Sequence, residues 1–239
     1  MPLSDSELAS LSEDLGIPEM AIRILDAAMR LFARKGYAAT SVREIVQEAN
    51  VTNPMLYYYF DNKEGVFNKL IEILFGSMNR LVIEVVESPL YPTLRDKVEA
   101  IVRVHVNSGN ESPMAVKFIY SVLLGPSESR PTVDIDVHRR DPFMAVLGLF
   151  SEAIEAGEFV PNDGLDPLFL TAQLFGLINH HLMLSLRRME LLETLGDLGE
   201  AEHPELFKLG ALFNESSTEK LLQLFFQGAG ELVDKKESA

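Results

Sequence analysis

A chain of 239 residues with 47% hydrophobic residues, 24% charged residues, 15 Gly and 12 Pro has the make-up of a folded globular protein and excludes a disordered, collagen-like or linker-dominated one. The absence of cysteine removes disulfide scaffolds, zinc-thiolate sites, iron-sulfur clusters and thiol nucleophiles together. The formal charge of -15 would repel nucleic acid and membrane phosphate if it were evenly spread, but residues 19–70 hold seven Lys and Arg against six Asp and Glu, whereas residues 71–239 hold fourteen against twenty-six. No membrane span is expected, because the longest apolar stretch, Leu165 to Leu186, is interrupted by Asp166, Gln173, Asn179, His180 and His181. Residues 1–18 carry four acids and no base, unlike a signal or transit peptide, so a cytoplasmic location is the expectation.

The periodicity is helical almost throughout. Ile22, Leu25, Met29 and Phe32 predict a helix from Pro18 to Lys35, stopped by Gly36. Ser41 and Glu44 form a capping pair ahead of a helix over 42–49, and Thr52 precedes one over 53–60. Asp61 and Glu64 form a second capping pair for a long helix over 62–86, ended by Pro89 and Pro92. Further helices are expected over 94–108, 114–124, 139–157, 166–195 and 218–234, with a polar connector over 134–141. The acidic ends, 1–17 and 235–239, are expected to fray.

The two short helices carry the chemistry. Val42, Ile45, Val46 and Ala49 form one apolar stripe, and Leu56 and Phe60 form its inward partner. Val51 plugs the turn between them, and Asn50 tolerates the left-handed backbone that a tight turn needs. The outer side of the second helix then offers Asn53, Pro54, Tyr57 and Tyr58, whose amide and hydroxyl groups suit phosphates and base edges. Tyr59 lies nearer the inner face, as a packing residue would. Lys63 sits in the first turn of a long helix, where free amides and the helix dipole attract an anion.

In residues 22–70, most densely in LYYYFDNKEGVF, the sequence resembles the tetracycline-repressor (TetR) family of bacterial regulators. It departs from the family pattern at Asn50, where glycine is usual, and at Pro54, where a small residue is common. The resemblance implies an all-α fold, with a three-helix helix-turn-helix head over 18–62 joined to a larger helical body over 63–239 for ligand binding and dimerisation. It implies that Arg43 touches a phosphate or base, that Thr52, Asn53, Pro54 and Met55 face base edges, and that Tyr57, Tyr58, Tyr59 and Lys63 grip flanking phosphates. The function implied is that of a regulator, a repressor in sense, that binds a palindromic double-stranded operator as a homodimer and is released by a small molecule. The alternative is a helical ligand carrier or enzyme keeping the head as a relic; against an enzyme stands the lack of any G-x-S-x-G, H-E-x-x-H, P-loop or G-x-G-x-x-G signature.

In the body, the stripe Leu94, Val98, Ile101, His105, Ser108 faces a core, and a largely apolar pocket is expected from Phe75, Met78, Ile101, His105, Phe118, Val122, Phe175 and Asn179. The acidic body favours a neutral or cationic, partly hydrophobic effector. The helix over 166–195 is apolar all round, with Leu168, Ala172, Phe175, Leu182, Leu186 and Met189 on one side and Phe169, Leu177, Leu184 and Leu191 on another; a second subunit, pairing through 166–195 and 218–234, is its expected partner. No cofactor is called for. Asp134, Asp136, His138 and Asp141 lack a recognised cation-ligand spacing and are read as a solvated connector.

Overall fold

The computed structural model describes residues 12–126, 130–195 and 216–232. The fold is all-α apart from one short ladder: α1 (Glu19–Lys35), α2 (Val42–Glu48), α3 (Asn53–Phe60), α4 (Lys63–Glu87), α5 (Leu94–Glu111), α6 (Pro113–Leu124), α7 (Ile135–Glu155), β1 (Phe159–Pro161), α8 (Pro167–Leu195), α9 (Ser216–Ala229) and β2 (Gly230–Leu232). The chain divides into two compact units, residues 1–77 with 112–138, and residues 78–111 with 139–239.

The first unit is built on α1, whose buried face runs from Ala21 through Ile24, Ala28 and Leu31 to Phe32. Glu19 in its first turn and Arg34 and Lys35 in its last suit the helix dipole. Gly36, at φ +83, ends it and returns its amide to the carbonyl of Phe32. The unit extends beyond residues 18–62, because α6 packs along α1 and sends Phe118 and Val122 into the same core as Phe67, Leu70, Ile71 and Phe75 of α4. Phe118 lies 5.6 Å from Phe67 and 6.1 Å from Phe32, ring centre to ring centre.

The second unit packs α5, α8 and α9 around Val98, Ile101, Leu170, Leu174, Ile178 and Leu222, with Val146 and Phe150 from α7. The rings of Phe150, Phe159, Phe225 and Phe226 meet beside them in tilted and edge-to-face pairs. Strands β1 and β2 pair antiparallel, with Phe159 opposite Leu232 and Pro161 opposite Gly230. Gly230 is required there, since a Cβ would stand 2.3 Å from the Val160 carbonyl oxygen.

Four expectations change. The capping pair at Asp61 and Glu64 is replaced: Asp61 takes a left-handed φ of +61, and the Asn62 side chain accepts from the Gly65 amide at 2.9 Å. Helix α7 starts at Ile135 rather than Arg139, because Asp134 accepts from the Val137 amide and acts as N-cap; the expected connector is the first turns of a helix, with Pro142 inside it. Helix α9 ends at Ala229, and 230–232 form β2, while 233–234 fall outside the described residues. On α8 the two expected stripes are redistributed: Phe175, Leu177 and Leu182 pack on their own unit's core, and Leu168, Phe169, Met183 and Leu184 are exposed. The side chains of Met189 and Leu191 lie outside the described part of this helix.

Among the described residues no helix is long and apolar enough to cross a membrane, and no three His, Asp or Glu side chains converge as a metal set.

Candidate nucleic-acid interface

Helix α2 is started by a complete capping box. The Ser41 hydroxyl accepts from the Glu44 amide at 3.3 Å, and the Glu44 carboxylate accepts from the Ser41 amide at 2.8 Å and from its hydroxyl at 2.7 Å. Ile45, Val46 and Ala49 are buried, and so are Leu56 and Phe60 of α3, so the two helices share one apolar seam. Asn50, at φ +53, makes the turn between them, and the Val51 amide returns to the Val46 carbonyl at 2.9 Å. Helix α3 begins after Thr52 with Pro54 in its first turn, where a missing amide costs nothing.

With Leu56 fully buried and Phe60 behind it, α3 has one orientation, and its other side faces out. Thr52, Asn53 and Pro54 are exposed, Met55 is half-buried, and Tyr57 and Tyr58 are 49% and 82% exposed. Exposing two tyrosines in adjacent positions has no packing reason, which makes this the face to interrogate for a ligand. Tyr59 is half-buried against the head's core, its ring 5.0 Å from Tyr58 and 6.2 Å from Phe60.

The head's bases are distributed unevenly. Arg30, buried in α1, pairs with Asp26 and with Glu48 of α2; Arg34 also reaches Glu48, and Lys35 pairs with Glu44. The pairs to Glu48 and Glu44 clip α1 to α2. Arg43 is exposed and has no acid partner among the described residues, so its charge is available to a phosphate. Lys63 is not presented to solvent in that way: its ammonium donates to the carbonyls of Tyr37 and Thr40 at 2.9 and 2.8 Å and lies 4.0 Å from the centre of the Tyr37 ring. Burial lowers the Lys63 pKa and raises that of Tyr37. Spacing placed Lys63 at a helix start, but only the fold shows that the loop after α1 passes beneath it.

Of the residues expected to line a pocket, Phe75, Phe118 and Val122 belong to the core of the first unit, with Phe118 fully buried. Ile101 lies in the core of the second, with Met78 and Phe175 packed against it. His105 is mostly buried on α5; its Nδ1 is 2.8 Å from the Ile101 carbonyl and its ring meets Phe175 edge-on at 5.9 Å. Phe143, which sequence reasoning did not single out, stacks on the other part of this group at 6.0 Å from Phe175. Burial lowers the His105 pKa, so the ring is neutral. Since a carbonyl only accepts, Nδ1 carries the proton and Nε2 is left as an acceptor. Asn179 is half-buried on the same helix as Phe175.

Two short helices joined by a left-handed turn, with one shared apolar seam and an outward row of polar and tyrosine side chains, define a helix-turn-helix protein. Residues 24–70 match the family described as bacterial regulatory proteins, tetR family. The match covers the N-terminal segment, about a fifth of the chain. It is similar to the uncharacterized HTH-type transcriptional regulator YvkB of Bacillus subtilis, 40% identical over 72 residues, or 30% of this chain and 38% of that protein. It is also similar to IcaR, the HTH-type negative transcriptional regulator of the biofilm operon icaADBC in Staphylococcus aureus, 27% identical over 101 residues, or 38% of this chain and 54% of that one. The chain thus spans about half the length or less of these curated relatives. In fold it is similar to the transcriptional regulator FadR from Bacillus subtilis, solved in complex with stearoyl-CoA, with a TM-score of 0.58, 21% identity, and 87% of this chain and 98% of that one covered.

The capping box also sets a pH response. Hydrogen bonds from Lys35 and from Ser41 lower the Glu44 pKa from 4.5 to about 2. Because the folded value is depressed, the stabilisation is complete above the ordinary carboxylate range and is lost as pH falls from 4.5 towards about 2. Urea midpoints of the wild type and Glu44→Gln should therefore differ at pH 6 and converge across that window; a Glu44 carboxyl resonance titrating near 4.5 would contradict the assignment.

Proposed function

We propose that the chain is a dimeric, ligand-responsive transcriptional regulator, a repressor in sense, whose residues 18–62 bind a palindromic operator and whose residues 63–239 carry effector binding and dimerisation. The observation that carries this reading is the exposed row Thr52, Asn53, Pro54, Tyr57 and Tyr58 on a helix fixed by the buried Leu56 and Phe60. In this reading Asn53, with Thr52, Pro54 and Met55, meets base edges, Tyr57 and Tyr58 donate to phosphates with Tyr59 supporting them, and Arg43 supplies charge. The family match, and relatives that are themselves named as transcriptional regulators, support it; IcaR's name as a negative regulator supports the repressing sense.

The test is selection of duplexes from a random library by the pure protein, followed by titration of the enriched sequence in salt. Arg43→Ala should make the slope of log K against log salt shallower by about 0.9 for each phosphate that the arginine neutralises. Asn53→Ala should leave that slope in place and relax the sequence preference. Enrichment of no sequence by the wild type would refute the reading.

Two heads must stand about one turn of DNA apart, roughly 34 Å, to read a palindrome. Phe169, Gln173, Gly176, His180, Met183 and Arg187 follow one another at steps of three or four along α8 and are all exposed, which puts them on one face. Gly176, with open space where a Cβ would be, allows a close approach there, and Leu224 on α9 is 63% exposed. This is the face that pairs. Met183→Glu should shift the sedimentation coefficient towards that of a monomer and weaken operator binding, whereas an unchanged dimer would place the interface elsewhere.

The effector is a partly hydrophobic small molecule held in the second unit against Met78, Ile101, His105, Phe175 and Asn179. Phe75, Phe118 and Val122 are spoken for by the head's core, and opening that core would dismantle the DNA-binding unit. A neutral His105 offering an acceptor favours a ligand that brings a donor, so a neutral or cationic group is expected. FadR, similar in fold and solved in complex with stearoyl-CoA, supports the hydrophobic part of this reading. The chain has no tryptophan, so Phe175→Trp creates a single reporter. Ligands that release DNA should change its emission, and release with unchanged emission would move the pocket away from Phe175.

A further inference from the structure

Lys63 is the first residue of α4, yet both carbonyls it binds belong to the loop between α1 and α2, more than twenty residues earlier. That loop leaves α1 at Gly36 and reaches Ser41, the N-cap of α2, passing through Thr40, which is 1% exposed and whose hydroxyl donates to the Gly36 carbonyl. The Tyr37 ring beneath the ammonium is itself fixed, 5.4 Å from Phe32 and 5.1 Å from Phe67. An ammonium has three protons, and two are given to these carbonyls while the charge rests against the ring. Two of its three protons and its ring contact are thus committed to this loop, and one of the two acceptors lies on a buried residue.

We infer that Lys63 is a positioning residue rather than a phosphate contact: it ties the loop 36–41 to the start of α4 and so holds the N-terminus of α2, and the recognition helix α3 packed on it, at the angle that base reading needs. The inference rests on the DNA-binding reading above, and it differs from a phosphate contact in what it makes measurable. A phosphate contact carries no sequence information and contributes to the salt slope. A residue that sets the angle of the recognition helix contributes to preference and not to the slope.

The experiment compares the wild type with Lys63→Met, which keeps the aliphatic stem, and Lys63→Gln, which retains one donor group. Each is titrated in salt on the duplex enriched by the wild type and on a random duplex of equal length, after circular dichroism has shown the variants folded. Lys63→Met should lower the ratio of specific to random-duplex affinity by about tenfold, the scale of losing hydrogen bonds to a charged group, with the salt slope unchanged; Lys63→Gln should lie between it and the wild type. Amide exchange at residues 37–41 should accelerate in Lys63→Met without DNA. A slope shallower by about 0.9 per head, with all sequences weakened equally, would identify a phosphate contact and overturn the inference. So would unchanged binding, or an equal loss on both duplexes that tracks a smaller folded fraction. If the wild type prefers no sequence, the functional reading fails; the exchange measurement still decides whether the loop is tied by Lys63.

Discussion

Four rings, from Phe32, Tyr37, Phe67 and Phe118, are linked in the first unit by contacts of 5.1 to 6.1 Å, Phe32 and Phe67 each touching the other three, and join α1, the following loop, α4 and α6. Truncating a buried phenylalanine costs about 3–5 kcal/mol, against about 5–15 kcal/mol for the whole stability of a typical domain. The outward face of α3 depends on this knot at one remove. α3 packs on α2 and α1, the Ser41 cap of α2 follows the loop that Tyr37 anchors, and α1 is held from behind by Phe118. A motif of under twenty residues cannot bury enough apolar surface to hold itself. Here the supporting surface comes from α6, some sixty residues further along the chain.

That distance explains what the sequence did and did not disclose. The pattern Val42, Ile45, Val46, Ala49 and the pair Leu56 and Phe60 are local, and they predicted the seam, the turn at Asn50 and the exposed row as found. Helix ends were legible where a side chain next to the end caps it, as at Ser41 and Asp166, whose carboxylate accepts from the Phe169 amide at 2.7 Å. Asp134 does the same for α7, yet the run of charges after it reads as a solvated loop. Strands of three residues are too short for an alternation to register, so β1 and β2 were invisible. Phe118 and Val122 were expected to line a pocket and instead join the first unit's core, because periodicity names a face and not what it packs against. Lys63 shows the same limit for a polar group, since its neighbours are carbonyls, and carbonyls carry no residue identity.

The electrostatic layout of the head also differs from a count of its charges. Seven bases against six acids leave little net attraction, and most of that base content is used internally, with Arg30, Arg34 and Lys35 on Asp26, Glu48 and Glu44, and Lys69 on Glu72. Exposed pairs of this kind add little stability, but Arg30 is buried: Asp26 pairs with it within α1, and Glu48 ties it to α2. Charge in the head thus serves geometry first. The polar groups that α3 exposes are hydroxyls and an amide rather than charges.

The ladder between β1 and β2 bears on how the second unit can rearrange. Its register pairs Phe159 with Leu232 and Val160 with Glu231, and Phe159 is buried while Val160 is exposed. Strand side chains alternate, so a slip of one residue would turn the Phe159 ring out of its cluster with Phe150 and Phe226. Asn162 adds two more ties, from its amide to the Ala229 carbonyl and from its side chain to that of Gly228. The end of α9 is thereby indexed like a toothed rack to the segment that follows α7. Small axial sliding of α9 is closed off, and tilting or pivoting about the ladder is the motion that keeps every tooth engaged.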